Sequence, residues 1–288
     1  MAYRENPLCF ECEGVSLLAV ITQPLAVAAL GVIVVVGGPQ YRVGSHRQFV
    51  LLARELAAAG VACMRFDYRG MGDSEGEAVS FEAARTDIRA ALRALKSAMP
   101  ELRSIVLWGL CDGASASAIS ADETIDGMVL VNPWVRTNDS AAEAALTHYY
   151  RARVADPDFW RKLFSGRTRP FSSAKKFLAA CVELVKVRAQ KRSAHGDTLP
   201  IRVGRGIASL PGPVLIVLSE NDQTAAEFRI QSSRDPTLAK ALDRRSVTVV
   251  EVPGADHTFS STKGREAAAA ITVRWLQAQF SSLVPPHP

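Results

Sequence analysis

Short apolar runs alternate along the chain with stretches in which apolar residues recur every three or four positions. The runs are Leu17–Ile21, Val32–Val36, Val61–Phe66, Ile105–Leu107, Met128–Val131, Val214–Leu218 and Val247–Val252. Several are rich in β-branched residues, and they predict buried strands. Between them, Phe49, Leu52 and Leu56 share one helical face after Ser45, a candidate N-cap, and Gly60 stops that helix. A second helix is predicted from near Ser80, with Ala84, Ile88, Leu92 and Leu95 on one stripe and Pro100 beyond it. A last one runs from about Arg265 to Phe280. Buried strands separated by helices predict an α/β fold, with a mostly parallel central sheet and helices on both faces.

One stretch needs separate treatment. From Val15 to Gln40 there is no charged residue, a length that invites a membrane span. Thr22-Gln23-Pro24 interrupts it and Gly37-Gly38-Pro39 ends it, so it reads better as two buried strands joined by a loop. No transmembrane segment is expected.

The alternation breaks between Val135 and Arg205. Helical patches such as Phe177 to Val187 occur there, but no convincing strand. The expected organisation is a core of residues 1–134 and 206–288, with 135–205 inserted as a helical cap over the C-terminal edge of the sheet. This insertion holds fifteen Lys/Arg against six Asp/Glu, while the whole chain carries only +5. The rest of the chain is therefore net negative. A basic cap would steer an anionic partner, such as an acyl carrier, coenzyme A or an acidic glycan, or would simply solvate exposed helices.

The totals narrow the class. A chain of 288 residues with 48% hydrophobic content can bury a substantial core. The overall charge is mild, and no nucleic-acid partner is expected. The five cysteines (9, 12, 63, 111 and 181) are odd in number and lack framework spacing, which predicts a reduced, cytoplasmic setting. Cys9 and Cys12 form a C-x-x-C on an apparent N-terminal strand with no second pair, so a structural role is expected over a metal or redox one. The start, Met-Ala-Tyr-Arg-Glu-Asn-Pro, does not read as a signal peptide.

The chemistry centres on Gly109-Leu110-Cys111-Asp112-Gly113, between the apolar run 105–107 and the small-residue run 114–119. That order reads strand, sharp turn, helix, and Gly-x-Cys-x-Gly is the nucleophile-elbow pattern with sulfur in place of oxygen. A thiol placed over a helix N-terminus is favoured as thiolate. A cysteine nucleophile needs a base, and the base an orienting group. Of the histidines 46, 148, 195, 257 and 287, His257 follows the strand Val247–Val252 through a short loop at the sheet's C-terminal end. Asp222 follows Val214–Leu218, with Glu220 as the alternative carboxylate. Asp222 also reads as a plain helix N-cap. For an oxyanion, one donor is the N–H of Asp112. The other comes from the loop after Val32–Val36, where Pro39 has no N–H and Gly38 or Gln40 must serve.

These motifs carry a resemblance. Nucleophile, acid and histidine stand in the chain order of the α/β-hydrolase triad, and Asp67-Tyr68-Arg69-Gly70-Met71-Gly72-Asp73-Ser74 is similar to the Asp-x-Arg-Gly-x-Gly-x-Ser loop of that superfamily. The resemblance implies an α/β-hydrolase fold outside the cap. Gly-Gly-Pro-Gln-Tyr-Arg-Val-Gly-Ser-His-Arg-Gln-Phe at 37–49 together with Gly109-Leu110-Cys111-Asp112-Gly113 resembles the hydrolase 1 family associated with the exosortase A system, which implies a link to bacterial exopolysaccharide and protein sorting. The chain departs from the wider superfamily in having Cys111 where serine is usual and Gly-Gly-Pro where His-Gly-x is usual.

The leading expectation is a cysteine-nucleophile acyl hydrolase of esterase or thioesterase type. Cys111 attacks, His257 moves the proton and Asp222 holds the imidazole. An acyltransferase using the same triad, and a non-catalytic module whose basic cap binds a carrier, a polysaccharide or a membrane face, stay open. No metal or organic cofactor is implied.

Overall fold

The computed structural model describes residues 3–37, 40–137 and 197–284. Its centre is an eight-stranded sheet in the order β1-β2-β4-β3-β5-β6-β7-β8. The strands are β1 (Tyr3–Cys12), β2 (Val15–Pro24), β3 (Leu30–Val35), β4 (Ala62–Phe66), β5 (Ser104–Leu110), β6 (Gly127–Val131), β7 (Val214–Ser219) and β8 (Val247–Val252). β1 and β2 pair antiparallel from Tyr3↔Pro24 to Cys12↔Val15, and β2 runs antiparallel to β4. Every pair from β4 to β8 is parallel. Glu13 and Gly14 turn the first hairpin with φ of 51° and 81°, the positive pair that matches the twist of two joined strands. The uncharged stretch 15–40 thus supplies β2 and β3. No helix among the described residues is long and apolar enough to cross a membrane.

Seven α-helices flank the sheet among the described residues: α1 (Gln48–Ala58), α2 (Arg85–Ala98), α3 (Asp112–Ser120), α4 (Leu199–Ser209), α5 (Gln223–Arg234), α6 (Pro236–Leu242) and α7 (Thr262–Gln279). The two faces explain why the parallel strands read as continuous apolar runs. Side chains alternate along β3: Val32 and Val34 pack with Phe49, Leu52 and Leu56 of α1 and Leu276 of α7. Ile33 and Val35 face the other way, toward Ile88 and Leu95 of α2, Val203 of α4 and Phe228 of α5. Both sides are dry, so neither parity can be polar.

Two boundaries differ from the sequence reading. Ser45 does not cap α1; Ser45–Arg47 is a 3-10 turn in which His46 and Arg47 hold φ of 53° and 59°, and α1 starts at Gln48. Ser80 accepts from the Glu82 N–H, but it caps a short 3-10 turn, and α2 begins at Arg85. Of the expected cap, residues 138–196 lie outside the described residues. Its last residues, from Leu199, belong to α4, which packs on α3 so closely that a Cβ on Gly206 would stand 1.9 Å from the Ala118 carbonyl oxygen.

Candidate active site

β5 ends at Leu110, and α3 starts at Asp112. Cys111 is the single residue between them, with φ 61° and ψ −124°. That conformation costs an L-residue on the order of 1–3 kcal/mol and persists only where the surroundings hold it. Here they do. The Cys111 N–H donates to Val131 O at 2.9 Å, and its carbonyl accepts from Trp134 N at 3.1 Å. The flanking glycines make the turn possible. A Cβ on Gly109 would lie 2.4 Å from Gly113 O, and one on Gly113 would lie 2.3 Å from Val35 O. Backbone atoms cannot swing aside, so Gly113→Ala should cost about 3 kcal/mol. Gly254 offers a contrast: φ is 69° but nothing lies within 4 Å of its missing Cβ. Alanine there should cost only the left-handed strain, about 1–2 kcal/mol. Chemical denaturation of the two variants beside the parent checks the difference.

The loop after β3 closes on this elbow. A Cβ on Gly37 would meet Asp112 Oδ1 at 2.1 Å and Leu110 O at 2.7 Å. Asp112 therefore sits in the first turn of α3, against the loop expected to supply the second oxyanion donor. Gln40 is half-buried in that loop, and Gly38 lies outside the described residues. What pins the loop is the Asp-x-Arg-Gly-x-Gly-x-Ser segment. Asp67, fully buried, accepts from the Arg42 N–H at 2.7 Å, from the Arg42 guanidinium and from Asp73 N at 3.2 Å. Asp73 in turn pairs with Arg42 at 2.9 Å and accepts from the Tyr41 hydroxyl at 2.7 Å. A Cβ on Gly72 would strike Asp67 Oδ2 at 2.3 Å, and one on Gly70 would strike Ala78 N at 2.2 Å. Ser74 donates to the Asp67 carbonyl at 2.8 Å and accepts from Leu18 N. The motif works as a clamp that fixes residues 41 and 42 beside the elbow.

Asp222 and His257 come together from adjacent strand ends. Asp222 caps α5, accepting from Thr224 N and Ala225 N, each at 3.1 Å. The same carboxylate places Oδ2 3.0 Å from His257 Nδ1. Asp222 is thus a helix cap that also lies beside the imidazole, and the two amides lock its carboxylate. Locked in this way, it meets the imidazole off the axis of the ring N–H, and Nδ1 makes no well-aligned hydrogen bond. Such contacts tighten when substrate settles the ring. Glu220, the alternative carboxylate, instead accepts from Gly254 N at 2.8 Å and braces the histidine loop from outside. Asn221 N donates to Ala255 O at 2.9 Å, a further tie between the two loops.

The electrostatics follow from this placement. His257 is pushed up to about 10 from 6.5, first by its contact with Asp222 and next by Cys111, against the opposing effect of burial. Cys111 is partly exposed. Cys63 is buried in β4, and burial pushes its thiol up to about 12. Cys12 is pushed up to about 11 by burial and by Asp87, to which its thiol donates. Cys9 and Cys12 are three residues apart on one strand and so point to opposite faces, one exposed and one buried. Cys181 lies outside the described residues.

Two residues beside the site were not picked out from the sequence. Trp134, just past β6, holds the Cys111 carbonyl through its N–H, and its own carbonyl accepts from the Ser115 hydroxyl. Asn132 reaches the His257 carbonyl with its side chain at 3.2 Å. The only available signal was Asn-Pro-Trp at the end of an apolar run, which reads as an ordinary turn. Beyond them, Arg136 stacks over the Trp134 ring and forks onto the buried Glu227 at 2.9 and 2.8 Å, tying the segment after β6 to α5.

Comparison with known proteins agrees with this architecture. The model of the alpha/beta hydrolase family matches residues 32–270. No curated protein matches the chain. Among solved structures, a Pyrococcus furiosus esterase superposes with a TM-score of 0.64 at 16% identity, covering 96% of this chain and 93% of that one. Est1E from Butyrivibrio proteoclasticus, solved with ferulic acid, gives 0.62 at 17% identity over 95% and 99% of the two chains. An alpha-beta serine hydrolase homologue from Coxiella burnetii gives 0.57 at 17% identity, with 94% and 97% covered. At such identities the likeness is one of fold. With most of its length matched by the family model, from β3 into α7, this chain belongs to the alpha/beta hydrolase family.

Proposed function

We propose that the protein is an acyl hydrolase that uses Cys111 as nucleophile, with His257 as proton carrier and Asp222 as its orienting partner. The observation that carries this reading is the position of His257, 3.0 Å from Asp222 and raised by both Asp222 and Cys111. An imidazole raised to about 10 is a cation at neutral pH. The resting site then holds the imidazolium beside the sulfur, as in other paired cysteine–histidine nucleophiles. The sulfur adds to an ester or thioester carbonyl, and the oxygen gathers charge toward the Asp112 N–H and a donor of the 37–40 loop. The imidazolium gives its proton to the departing alkoxide or thiolate as the carbon–oxygen or carbon–sulfur bond breaks. The acyl group is left on Cys111 as a thioester, which water attacks with His257 as base.

The finer assignment, to an exosortase-associated hydrolase acting on a carrier-linked or exopolysaccharide substrate, rests on the segments 37–49 and 109–113 and on the basic composition of 135–205. Intact-mass measurement after brief exposure to p-nitrophenyl acetate and to acetyl-coenzyme A tests the reading. A single acetyl group should be retained on Cys111, with greater occupancy when the incubation is quenched early. Labelling of Cys9 or Cys181 with Cys111 spared would remove the nucleophile assignment. Persistent absence of any adduct or turnover would favour a binding module.

A further inference from the structure

Asn132 is fully buried, yet it holds φ of 45°, a left-handed conformation in which asparagine is enriched but uncommon. Its N–H donates to Val217 O at 2.9 Å. Its side-chain oxygen accepts from Ser219 N at 2.8 Å. Its side-chain nitrogen donates to the Ser219 hydroxyl at 3.0 Å and to the His257 carbonyl at 3.2 Å. One side chain therefore ties three strand ends: β6, which it terminates; β7, whose last residue is Ser219 and which leads to Asp222; and the loop after β8 that carries His257.

We infer that Asn132 is a positioning residue for the proposed Cys111–His257–Asp222 site, setting the main-chain height of His257 relative to Asp222 through its amide. The geometry of the acid explains why this is needed. The Asp222 carboxylate is locked by two amides of α5 and cannot follow the imidazole. The imidazole must come to it, and the backbone of His257 sets where its ring can reach. Asn221 N–Ala255 O and Glu220–Gly254 N hold the loop on its approach side, whereas Asn132 alone of these ties grips residue 257 itself. The left-handed φ points the amide across the sheet end, toward β7 and the histidine loop. The role is indirect: Asn132 touches no reacting atom, and acts through the His257 carbonyl.

The inference rests on the proposed triad, so the test separates the two. Asn132→Gly keeps the left-handed backbone and deletes the amide. Ser219→Ala removes one of the two contacts of the side-chain nitrogen but leaves the His257 contact. In p-nitrophenyl acetate hydrolysis, Asn132→Gly should lower kcat about tenfold or more with KM within about twofold, because a displaced base costs turnover and not binding. Ser219→Ala should stay near the parent. Independently of turnover, the His257 ring signals followed by NMR should titrate at lower pH in Asn132→Gly, as the ring drifts from Asp222 and Cys111, the two groups that hold it high. If Asn132→Gly loses thermal stability but keeps the parent's kcat per folded molecule and its His257 titration, the residue is structural only and the inference fails. If the parent itself shows no Cys111-dependent turnover, the triad reading fails, while the titration still decides whether Asn132 positions His257.

Discussion

Cys111→Ala, His257→Ala and Asp222→Ala should each reduce turnover of an ester or thioester substrate by about three orders of magnitude or more, and the double variants should lose little beyond the worse single one. Non-additivity is the informative part. His257 has no proton to manage without Cys111, and Asp222 has nothing to orient without His257, so removing a second member takes away a group already idle. Asp222→Ala carries an extra cost that the others do not. Its carboxylate also caps α5, accepting from two backbone amides. Loss of such a cap costs about 1 kcal/mol of stability. Asp222→Asn separates the two roles in part, because its one side-chain oxygen can still accept from one of the two helix amides while its charge is gone. Full activity in Asp222→Asn, with the fold intact, would remove the acid from the proposed mechanism. Cys111→Ser should be reduced and not restored, since a hydroxyl gives up its proton far less readily than a thiol.

The sheet was legible because both of its faces are dry. With Val32 and Val34 packed under α1 and α7, and Ile33 and Val35 on the other side, no position along β3 tolerates a polar residue, and the run stands out. The elbow was legible for a steric reason: a Cβ at Gly109 or Gly113 has no room, so the glycine spacing is forced. Asp222 and His257 stand out in the sequence as candidates by their places after strand ends. What stayed hidden depends on contacts between residues distant in sequence. Asn132 and His257 lie 125 positions apart, and nothing near either one announces the other. The helix starts were misplaced for a related reason. Ser45 has the chemistry of a cap, but the chain needs two left-handed residues, His46 and Arg47, to turn from the clamped loop into α1. The motif at 67–74 is visible in the sequence, but the clamp it forms depends on Asp67 reaching Arg42, 25 positions away.

The titration of His257 is the second large effect, and its direction can be fixed in advance. The ring is raised from 6.5 to about 10, with Asp222 the first cause and Cys111 the second. Removing each should therefore lower the midpoint in a set order: the parent highest, Cys111→Ala lower, Asp222→Asn lower again, all still tending toward 6.5. The consequence for stability has a definite sign. A group raised on folding stabilises the folded chain fully below its unfolded value, here 6.5, and that contribution fades as pH climbs toward 10. Relative to His257→Gln, the parent's advantage in Tm should be greatest below pH 6.5 and shrink steadily up to pH 10. An advantage that grows with pH would mean that the ring is held neutral by burial, and the ion-pair picture would be wrong. The same shift also orders the proposed reaction. Once Cys111 is acylated, one of the two groups that hold the imidazolium is gone, and the midpoint must fall. More of His257 is then neutral, and free to take a proton, at the moment when a water needs deprotonating. Trapping the acyl-enzyme with a slowly hydrolysed ester and following the His257 signals by NMR should show that fall directly. An unchanged midpoint in the acyl form would show that Cys111 does not help to raise the histidine.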